Sequence, residues 1–285
     1  MRTARPLRVL ITFCIVMVSV HARAGRIVAG SSGQRYEMGR LIGKGGFGSV
    51  YKGWKLDGAK RGELVAIKQY ESLATAINED EALKGVAALS HLPHALGDGF
   101  DDKTGKNFLV SSWVMGRTLE TWSKKRKPSM VERVRSVIGA CDIVGKLHGH
   151  GWLHLDLKPQ NIMIDGKQRV TLIDIGIAQR KDASGSAVAS GDGTHEFMPP
   201  EQRAKHIVDD RADVFALAGT LYRLLVQHNP VAVTNEPGEV GTHLDEVEDL
   251  GLRAVLKKGM APSAADRYAS AAQLAAALRD WETAH

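Results

Sequence analysis

The residues HLDLKPQN, at positions 154–161, say more about structure and chemistry than any other part of this sequence. Within them, Asp156 can accept a hydroxyl proton, and Lys158 can balance the charge of a phosphoryl group in transit. Asn161 offers an amide oxygen to a metal ion. Thirteen residues later, Asp174 follows an apolar run within IDIG and supplies a second hard oxygen ligand of the kind that Mg²⁺ prefers. The pattern therefore combines a base, a cation and a pair of metal ligands.

Three histidines lie in or just before these residues, and none is interpreted as a base or a metal ligand. His154 is typical of a buried, hydrogen-bonded framework residue. His148 and His150 are spaced like a metal-binding pair, but they lie beside Gly149 and Gly151 at the expected end of a helix. We interpret them as part of a turn, because two histidines alone are a weak motif.

Upstream, GKGGFGSV at 43–50 is a glycine-rich segment that contains Gly43, Gly45 and Gly48. A backbone without Cβ atoms can approach phosphate oxygens closely, and its turn amides can then hold the negative charge. Alone the pattern is weak evidence for phosphate binding, since many glycine-rich hairpins bind no ligand. It also lacks the Gly-Lys-Ser/Thr ending of a P-loop.

Twenty residues after Gly48, the strand-like segment VAIK ends at Lys68. Side chains two positions apart on a strand share a face, so a nucleotide base can lie against the small side chain of Ala66 while the amine of Lys68 reaches the phosphates. The alternative for Lys68 is a solvated surface charge, as most lysines are. A carboxylate on the following helix favours phosphate binding, either Glu79 within NEDEALK or Glu81 if the helix register is shifted.

The patterning changes from strand-like to helix-like along the chain. Residues 36–114 contain short β-branched runs separated by turn signals, with one predicted helix at 75–90. Farther along, apolar residues follow helical spacing, most clearly over 131–147 and 214–225. The small and polar residues 25–35 predict a linker that precedes this domain.

The first 24 residues have the pattern of a secretory signal. Three arginines precede a twelve-residue apolar run, Val9–Val20, and Ala22 and Ala24 are the small residues that a cleavage site requires. The run is short for a membrane span, which needs about 20 residues. The alternatives are a buried strand or helix, or an ordinary cytoplasmic protein whose true start lies near Tyr36. We expect an exported protein without a stable membrane span once the leader is removed.

Charge and composition exclude several classes of protein. The formal charge is +6, but four arginines lie in the leader and the remaining residues carry only +2, so no nucleic-acid partner is expected. The 44% hydrophobic and 25% charged residues are those of a globular protein, and 285 residues suffice for two small lobes. Leader removal would leave Cys141 as the one cysteine, with no internal disulfide.

Together the motifs resemble those of a eukaryotic-like (Hanks-type) serine/threonine protein kinase. The glycine loop, VAIK, HLDLKPQN, DIG and GTHEFMPPE at 193–201 come in that family's order and spacing, over about 36–282. The resemblance implies an α+β, bilobal fold. A small antiparallel sheet with one helix would cover 36–114, a mostly helical lobe would cover 115–283, and ATP would lie between them.

The resemblance also implies roles for the motif residues. Asp156 and Lys158 would be catalytic, the first deprotonating a substrate hydroxyl and the second supporting the γ-phosphate. Asn161 and Asp174 would hold Mg²⁺. The residues implied in ATP binding are Ile42, Gly43, Gly45, Gly48, Val50, Ala66, Lys68 (paired with Glu79), Ser112, Val114, Met163 and Ile173, with Ser111 behind the adenine.

Three further residues are given structural roles by the resemblance. Glu201 should pair with Arg267, and Asp213 should brace the backbone of the catalytic loop. Three positions depart from the family pattern. They are Leu155 in place of an arginine, Ile175 in place of a phenylalanine and Ala218 in place of a glycine, and none removes a phosphate, metal or base residue.

Three function classes are compatible with these observations. An active kinase would use ATP and Mg²⁺ to phosphorylate Ser or Thr of protein substrates, and Lys158 favours Ser/Thr over Tyr. A catalytically weak scaffold would normally have lost Lys68, Asp156 or Asp174, and all three are present. A small-molecule phosphotransferase typically lacks a segment like MPPE and its partner arginine, so Glu201 and Arg267 disfavour that class.

Overall fold

A computed structural model describes residues 25–230 and 243–285, so the predicted leader lies outside the described residues. The first part is an antiparallel sheet in the order β1-β2-β3-β4-β6-β5. Its strands are β1 (Arg26–Ala29), β2 (Arg35–Gly45), β3 (Gly48–Asp57), β4 (Lys60–Tyr70), β5 (Ala95–Asp101) and β6 (Lys106–Ser112). Helix α1 (Leu73–Gly85) lies between β4 and β5 in sequence, a little earlier than the predicted 75–90.

The predicted linker at 25–35 is instead partly a strand. β1 pairs with β2, Arg26 opposite Met38 and Ala29 opposite Arg35. An isolated bridge then joins Gly30 to Gly99 of β5, which brings the two edges of the sheet together. Four residues among small and polar neighbours give too short a pattern to predict a strand, and the pairing with β2 forms it.

The second part is mostly helical. Its helices are α2 (Leu119–Arg126), α3 (Met130–Gly149), α4 (Pro200–Arg203), α5 (Asp210–Val226), α6 (Leu250–Gly259) and α7 (Ala271–Thr283), with 3₁₀ turns at His195–Phe197, Leu244–Glu246 and Ala264–Asp266. α3 and α5 bury the apolar faces that the sequence predicted at 131–147 and 214–225. The chain therefore has the α+β, bilobal architecture that the sequence predicted.

Local sequence explains where α3 begins. Ser129 caps the helix, accepting from the backbone N–H of Glu132 at 3.2 Å, while the Glu132 carboxylate accepts from the backbone N–H of Ser129 at 2.8 Å. None of the helices within 25–230 and 243–285 is long and apolar enough to cross a membrane.

Short strands position the loops of the helical part. They are β7 (Arg117–Thr118), β8 (Trp152–Leu153), β9 (Ile162–Ile164), β10 (Val170–Leu172), β11 (Gln179–Arg180), β12 (Ala187–Val188) and β13 (Ile207–Val208). β10, β9 and β7 form one sheet, β11 pairs with β8, and β12 pairs with β13. Residues 154–161 thus connect β8 to β9.

Candidate active site

The loop 154–161 and Asp174 lie side by side because of the pairing between β9 and β10. Ile162 is opposite Leu172 in this antiparallel pair. Just beyond it, the backbone N–H of Ile173 donates to the carbonyl of Asn161 at 2.8 Å. Asn161 and Asp174 therefore occupy the same end of this hairpin, where both side chains can approach one ligand.

The carboxylate of Asp156 is the centre of a buried polar network. Its Oδ2 accepts from Lys158 Nζ at 2.7 Å and from Asn161 Nδ2 at 2.9 Å. Its Oδ1 accepts from the hydroxyl of Thr194 at 2.7 Å, and Lys158 Nζ donates to the same hydroxyl at 2.5 Å. A hydroxyl group therefore lies between a carboxylate and an ammonium, as a substrate hydroxyl would need to in order to lose a proton.

Asp213, at the start of α5, holds the backbone of this loop. Its two oxygens accept from the backbone N–H groups of His154 and Leu155, each at 2.8 Å, and His148 Nε2 donates to it at 2.8 Å. Burial opposes ionisation of Asp213, but the bonds from His148 and the loop lower its pKa below the usual range. The contact fixes Leu155 at a φ of +63°, a conformation that non-glycine residues rarely adopt.

The histidines have structural positions. His154 is fully buried, accepts from the backbone N–H of Asp156 at 3.3 Å, and has a pKa lowered by burial. His148 is the buried partner of Asp213. His150 is exposed and bonds the carbonyl of Lys146 within the turn that ends α3.

Lys68 connects the sheet, α1 and the Asp174 loop. Its Nζ donates to Glu79 Oε2 at 2.6 Å and to Asp174 Oδ1 at 2.5 Å, while Glu81 is an exposed position. The Lys68 side chain is only 11% exposed, so the surface-charge alternative is wrong. Burial works against the ammonium, but the two carboxylates outweigh it and raise the pKa of Lys68. Burial likewise opposes ionisation of Asp174, and Lys68 lowers the pKa of that carboxyl.

The glycine-rich segment forms the turn between β2 and β3. Gly45 is opposite Gly48 across the turn, and a Cβ at Gly43 or Gly45 would meet no atom within 4 Å. Gly48 is different, because a Cβ there would lie 2.0 Å from the carbonyl oxygen of Gln69. The glycines therefore leave the turn open on one side and let β3 approach β4 closely on the other.

The residues expected around the adenine come from several strands. Val50 is opposite Lys68 in the β3–β4 pair, and Ala66 is opposite Ser111 in the β4–β6 pair. Ile42 is 45% exposed on β2. The other residues follow in chain order: Ser112 ends β6, Val114 lies two residues beyond it, Met163 lies on β9 and Ile173 precedes Asp174.

The donor atoms at this site fit a magnesium ion bound together with phosphates. Asn161 and Asp174 offer an amide oxygen and a carboxylate, which are hard ligands. Within residues 25–230 and 243–285, no group of three or more His, Cys, Asp or Glu side chains is arranged to hold a metal alone. Mg²⁺ usually keeps waters and takes one or two protein ligands plus substrate phosphates, so this sparse pair fits that ion.

Comparison with known proteins agrees with this geometry. The family model described as "Protein kinase domain" matches residues 36–278. The chain belongs to the protein kinase family. It is 32% identical over 271 residues to a probable serine/threonine-protein kinase, CE0033, of Corynebacterium efficiens, covering 86% of this chain and 41% of that protein.

Two further relatives carry similar names. Serine/threonine-protein kinase PknD of Mycobacterium tuberculosis is 28% identical over 272 residues, 88% of this chain and 40% of that protein. Serine/threonine-protein kinase PknB of Mycolicibacterium smegmatis is 29% identical over 272 residues, 86% of this chain and 42% of that protein. The chain thus spans about two fifths of the length of the relatives it matches.

An ion pair ties the end of the kinase activation segment to the helical lobe. Arg267 donates to both oxygens of Glu201, at 2.6 and 2.9 Å, and also to the backbone carbonyls of Ala261, Arg211 and Pro262. The Arg267 side chain is fully buried. A bidentate pair with every other donor engaged is a rigid anchor for residue 201.

Leu155 places an apolar side chain where the kinase family usually has an arginine. It is buried in a cluster with Leu153, Ile177, Ala187 and Ala189. The last three belong to the activation segment, so that segment packs against the catalytic loop through apolar contacts. At the next departure from the family pattern, Ile175 is 1% exposed in the main core.

Two functional contacts of the kinase were not foreseen from its sequence. The Gln202 amide donates to the carbonyls of Leu155 and Asp192, at 2.7 and 3.1 Å, and thus joins the catalytic loop to the activation segment. The Asn78 amide bonds the loop that follows Asp174. Asn78 directly precedes Glu79, and Gln202 directly follows Glu201. This position beside a motif residue is the one sequence feature that could have indicated their roles.

Proposed function

We propose that the chain is an active serine/threonine protein kinase that transfers the γ-phosphoryl group of Mg-ATP to Ser or Thr hydroxyls of protein substrates. The single observation that carries this proposal is the hydroxyl of Thr194, held between Asp156 Oδ1 and Lys158 Nζ at 2.7 and 2.5 Å. A protein hydroxyl at this point has both a proton acceptor and a cation beside it.

Each residue of the site has a separate role in phosphoryl transfer. Asp156 orients the acceptor hydroxyl and takes its proton, and Lys158 stabilises the negative charge that develops nearby. Asn161 and Asp174 would hold Mg²⁺, and Lys68 would bind the α- and β-phosphates while Glu79 fixes its position. When bound, Mg-ATP supplies the phosphoryl group and neutralises part of its charge.

The contacts of the chain support neither of the two alternative functions, a scaffold or a small-molecule phosphotransferase. A scaffold without catalysis would not need Lys68, Asp156 and Asp174 joined to their partners, as they are here. A small-molecule phosphotransferase typically lacks the pair between Glu201 and Arg267, which is present and buried in this chain.

One assay separates the three functions. The purified chain is incubated with labelled ATP and Mg²⁺ together with a generic protein substrate or an aminoglycoside. A protein kinase labels Ser and Thr of the protein, a small-molecule phosphotransferase labels the aminoglycoside, and a scaffold labels neither. Chelation of the metal should abolish the labelling, since Asn161 and Asp174 alone are a weak metal-binding pair.

We also propose that the kinase is exported and meets ATP inside another cell. The arginines, apolar run and small residues of 1–24 support export, although they lie outside the described residues. The alternative is a cytoplasmic kinase whose translation starts near Tyr36. The pairing of β1 with β2 disfavours that start, because it would remove a strand of the sheet. N-terminal sequencing of the natural protein decides, with Gly25 expected as the first residue and an intact Met1 in the cytoplasm as the contrary result.

A further inference from the structure

Asn78 joins α1 to the loop that carries Asp174. Its Nδ2 donates to the carbonyl oxygens of Gly176 and Ala178, each at 3.0 Å. A side-chain amide nitrogen carries two hydrogens, so both donors are used on this loop. Asn78 directly precedes Glu79, and the two neighbours therefore bind different parts of the same site.

The Asp174 loop is held on its other side by different contacts. Ile177, between the two carbonyls that Asn78 binds, packs in the apolar cluster with Leu155. Gly176 has no space for a side chain, because a Cβ there would lie 2.8 Å from Glu79 Oε2 and 3.2 Å from Lys68 Nζ. A small movement of the loop relative to α1 would therefore disturb the bonds between Lys68, Glu79 and Asp174.

Because Leu155 stands where the kinase family usually has an arginine, the bonds that Asn78 makes to the activation segment gain importance for positioning that segment. A leucine has no donor for a phosphate on the activation segment, so a phosphorylated residue cannot fix that segment through this position. The two bonds of Asn78 connect α1 directly to the start of the same segment. They are uncharged hydrogen bonds from a side-chain amide to backbone carbonyls, and they form without phosphorylation of the chain.

We propose that Asn78 is a positioning residue that keeps α1 and the Asp174 loop in the arrangement required for Mg-ATP binding and transfer. Asn78 acts through Asp174 and Glu79 and does not itself touch the substrate. The proposal rests on the proposed kinase activity, but its structural part can be measured on the chain without nucleotide.

Two variants remove both donors in different ways. Asn78→Asp keeps the shape of the side chain and presents an acceptor to two carbonyls, whereas Asn78→Leu keeps the branched shape with no donor and no charge. Leucine is a better helix former than asparagine, so α1 should remain folded. Asn78→Gln keeps two donors on a longer stem, and Ile77→Ala removes a neighbouring side chain that is 49% exposed.

The first readout is hydrogen exchange of the backbone amides of 174–178 in the nucleotide-free chain. We expect exchange to be about tenfold faster or more in the Asp and Leu variants, and unchanged in Ile77→Ala. The second readout is kcat/KM for Mg-ATP. Loss of two net hydrogen bonds corresponds to a decrease of about 10- to 100-fold, with partial recovery in Asn78→Gln.

The outcomes separate this inference from the kinase proposal. Inactive wild-type protein would reject the kinase proposal, while the exchange experiment would still test the link made by Asn78. Exchange and kcat/KM equal to wild type in both donorless variants would overturn the inference. So would an equal effect of Ile77→Ala, since it would show that any change on α1 has the same consequence.

Discussion

The catalytic loop and the activation segment are neighbours held by different kinds of interaction. The loop at 154–161 is fixed by charged and polar contacts, with Asp213 on its backbone and Asn161 on Asp156. The segment that follows Asp174 packs through Ile177, Ala187 and Ala189 on the apolar side of the same loop. The catalytic loop is thus held by polar partners, and the part of the activation segment that faces Leu155 is held by apolar burial.

The difference has a physical basis. A buried carboxylate such as Asp156 or Asp213 is stable only when its oxygens are hydrogen-bonded, so the catalytic loop requires a complete polar network. The part of the activation segment near Leu155 packs through apolar side chains, whereas its two ends are held by polar contacts from Asn78 and Arg267.

The largest effect should come from the polar loop. Asp156→Asn removes the proton acceptor and leaves the size of the side chain unchanged. We expect turnover to fall by roughly 10²- to 10⁴-fold, the usual contribution of a general base. Phosphorylation of a protein substrate measures this, with exposed Asp102→Asn as the control that should retain activity. Near-normal turnover of Asp156→Asn would contradict its assignment as the base.

Lys68→Met should abolish activity and also weaken the fold. Loss of a solvated surface lysine would leave the fold intact, but Lys68 is buried between Glu79 and Asp174. Removing one member of such a pair costs about 3–5 kcal/mol, which corresponds to a decrease in Tm of about 10 °C.

Lys106→Met is the matched control for Lys68→Met. Lys106 bonds Glu71 at 2.5 Å, but the two side chains are 34% and 52% exposed. An ion pair at the surface contributes about 0–1 kcal/mol, so the Tm should change by no more than a few degrees. Equal Tm values for the two variants would show that burial of Lys68 adds nothing to stability.

Leu155→Ala tests the apolar half of the contrast. Leu155 is 4% exposed, and truncation leaves a cavity against Ile177 and Ala189. We expect a loss of about 2–4 kcal/mol in unfolding free energy, with faster proteolysis of the activation segment. Leu250→Ala, at a position 72% exposed, should change stability by less than about 0.5 kcal/mol. An activation segment as resistant in Leu155→Ala as in wild type would show that other contacts order it.

Acid should weaken the polar contacts of Asp213 selectively. Its pKa is lowered in the folded chain, so its ionised form stabilises the fold above the unfolded value of about 3.9. That contribution disappears as the pH falls through the lower, folded-state pKa. The Tm difference between wild type and Asp213→Asn should therefore be largest near neutrality and shrink below about pH 4. A difference that stays constant with pH would mean that ionisation of Asp213 is irrelevant.

The motif residues could be predicted because their spacing reflects local geometry. Asp156, Lys158 and Asn161 share one loop, and a short hairpin joins that loop to Asp174, so sequence distance translates directly into spatial proximity. The change of periodicity along the chain predicts a strand-rich part followed by a helix-rich part, and the resemblance of the motifs to the kinase family implies the α+β, bilobal fold. Glu79 was preferred over Glu81 on the helix, and it is Glu79 that bonds Lys68.

Contacts between distant segments could not be predicted in the same way. The strand at 26–29 exists through its pairing with β2, and its own residues look like a linker. Asn78 and Gln202 donate to backbone carbonyls. Every residue has such a carbonyl, so the sequence does not indicate which one accepts the bond. The burial of Lys68 likewise depends on a residue 106 positions away, which no local pattern reports.

The smallest effect should come from the hydroxyls of the activation segment. Ser184 and Ser186 lie in an exposed turn in which Asp182 accepts from the Ser184 hydroxyl at 2.6 Å. Phosphate on Ser184, Ser186 or Ser190 would have no arginine at position 155, and Lys181 is already bonded to Asp210 at 2.7 Å. Changing all three serines to Ala should therefore alter activity by less than about tenfold, or 1.4 kcal/mol, below the 1.5–3 kcal/mol of the absent charged contact. Phosphatase-treated wild type should stay equally active, whereas a hundredfold loss in either experiment would show that a phosphate orders this segment.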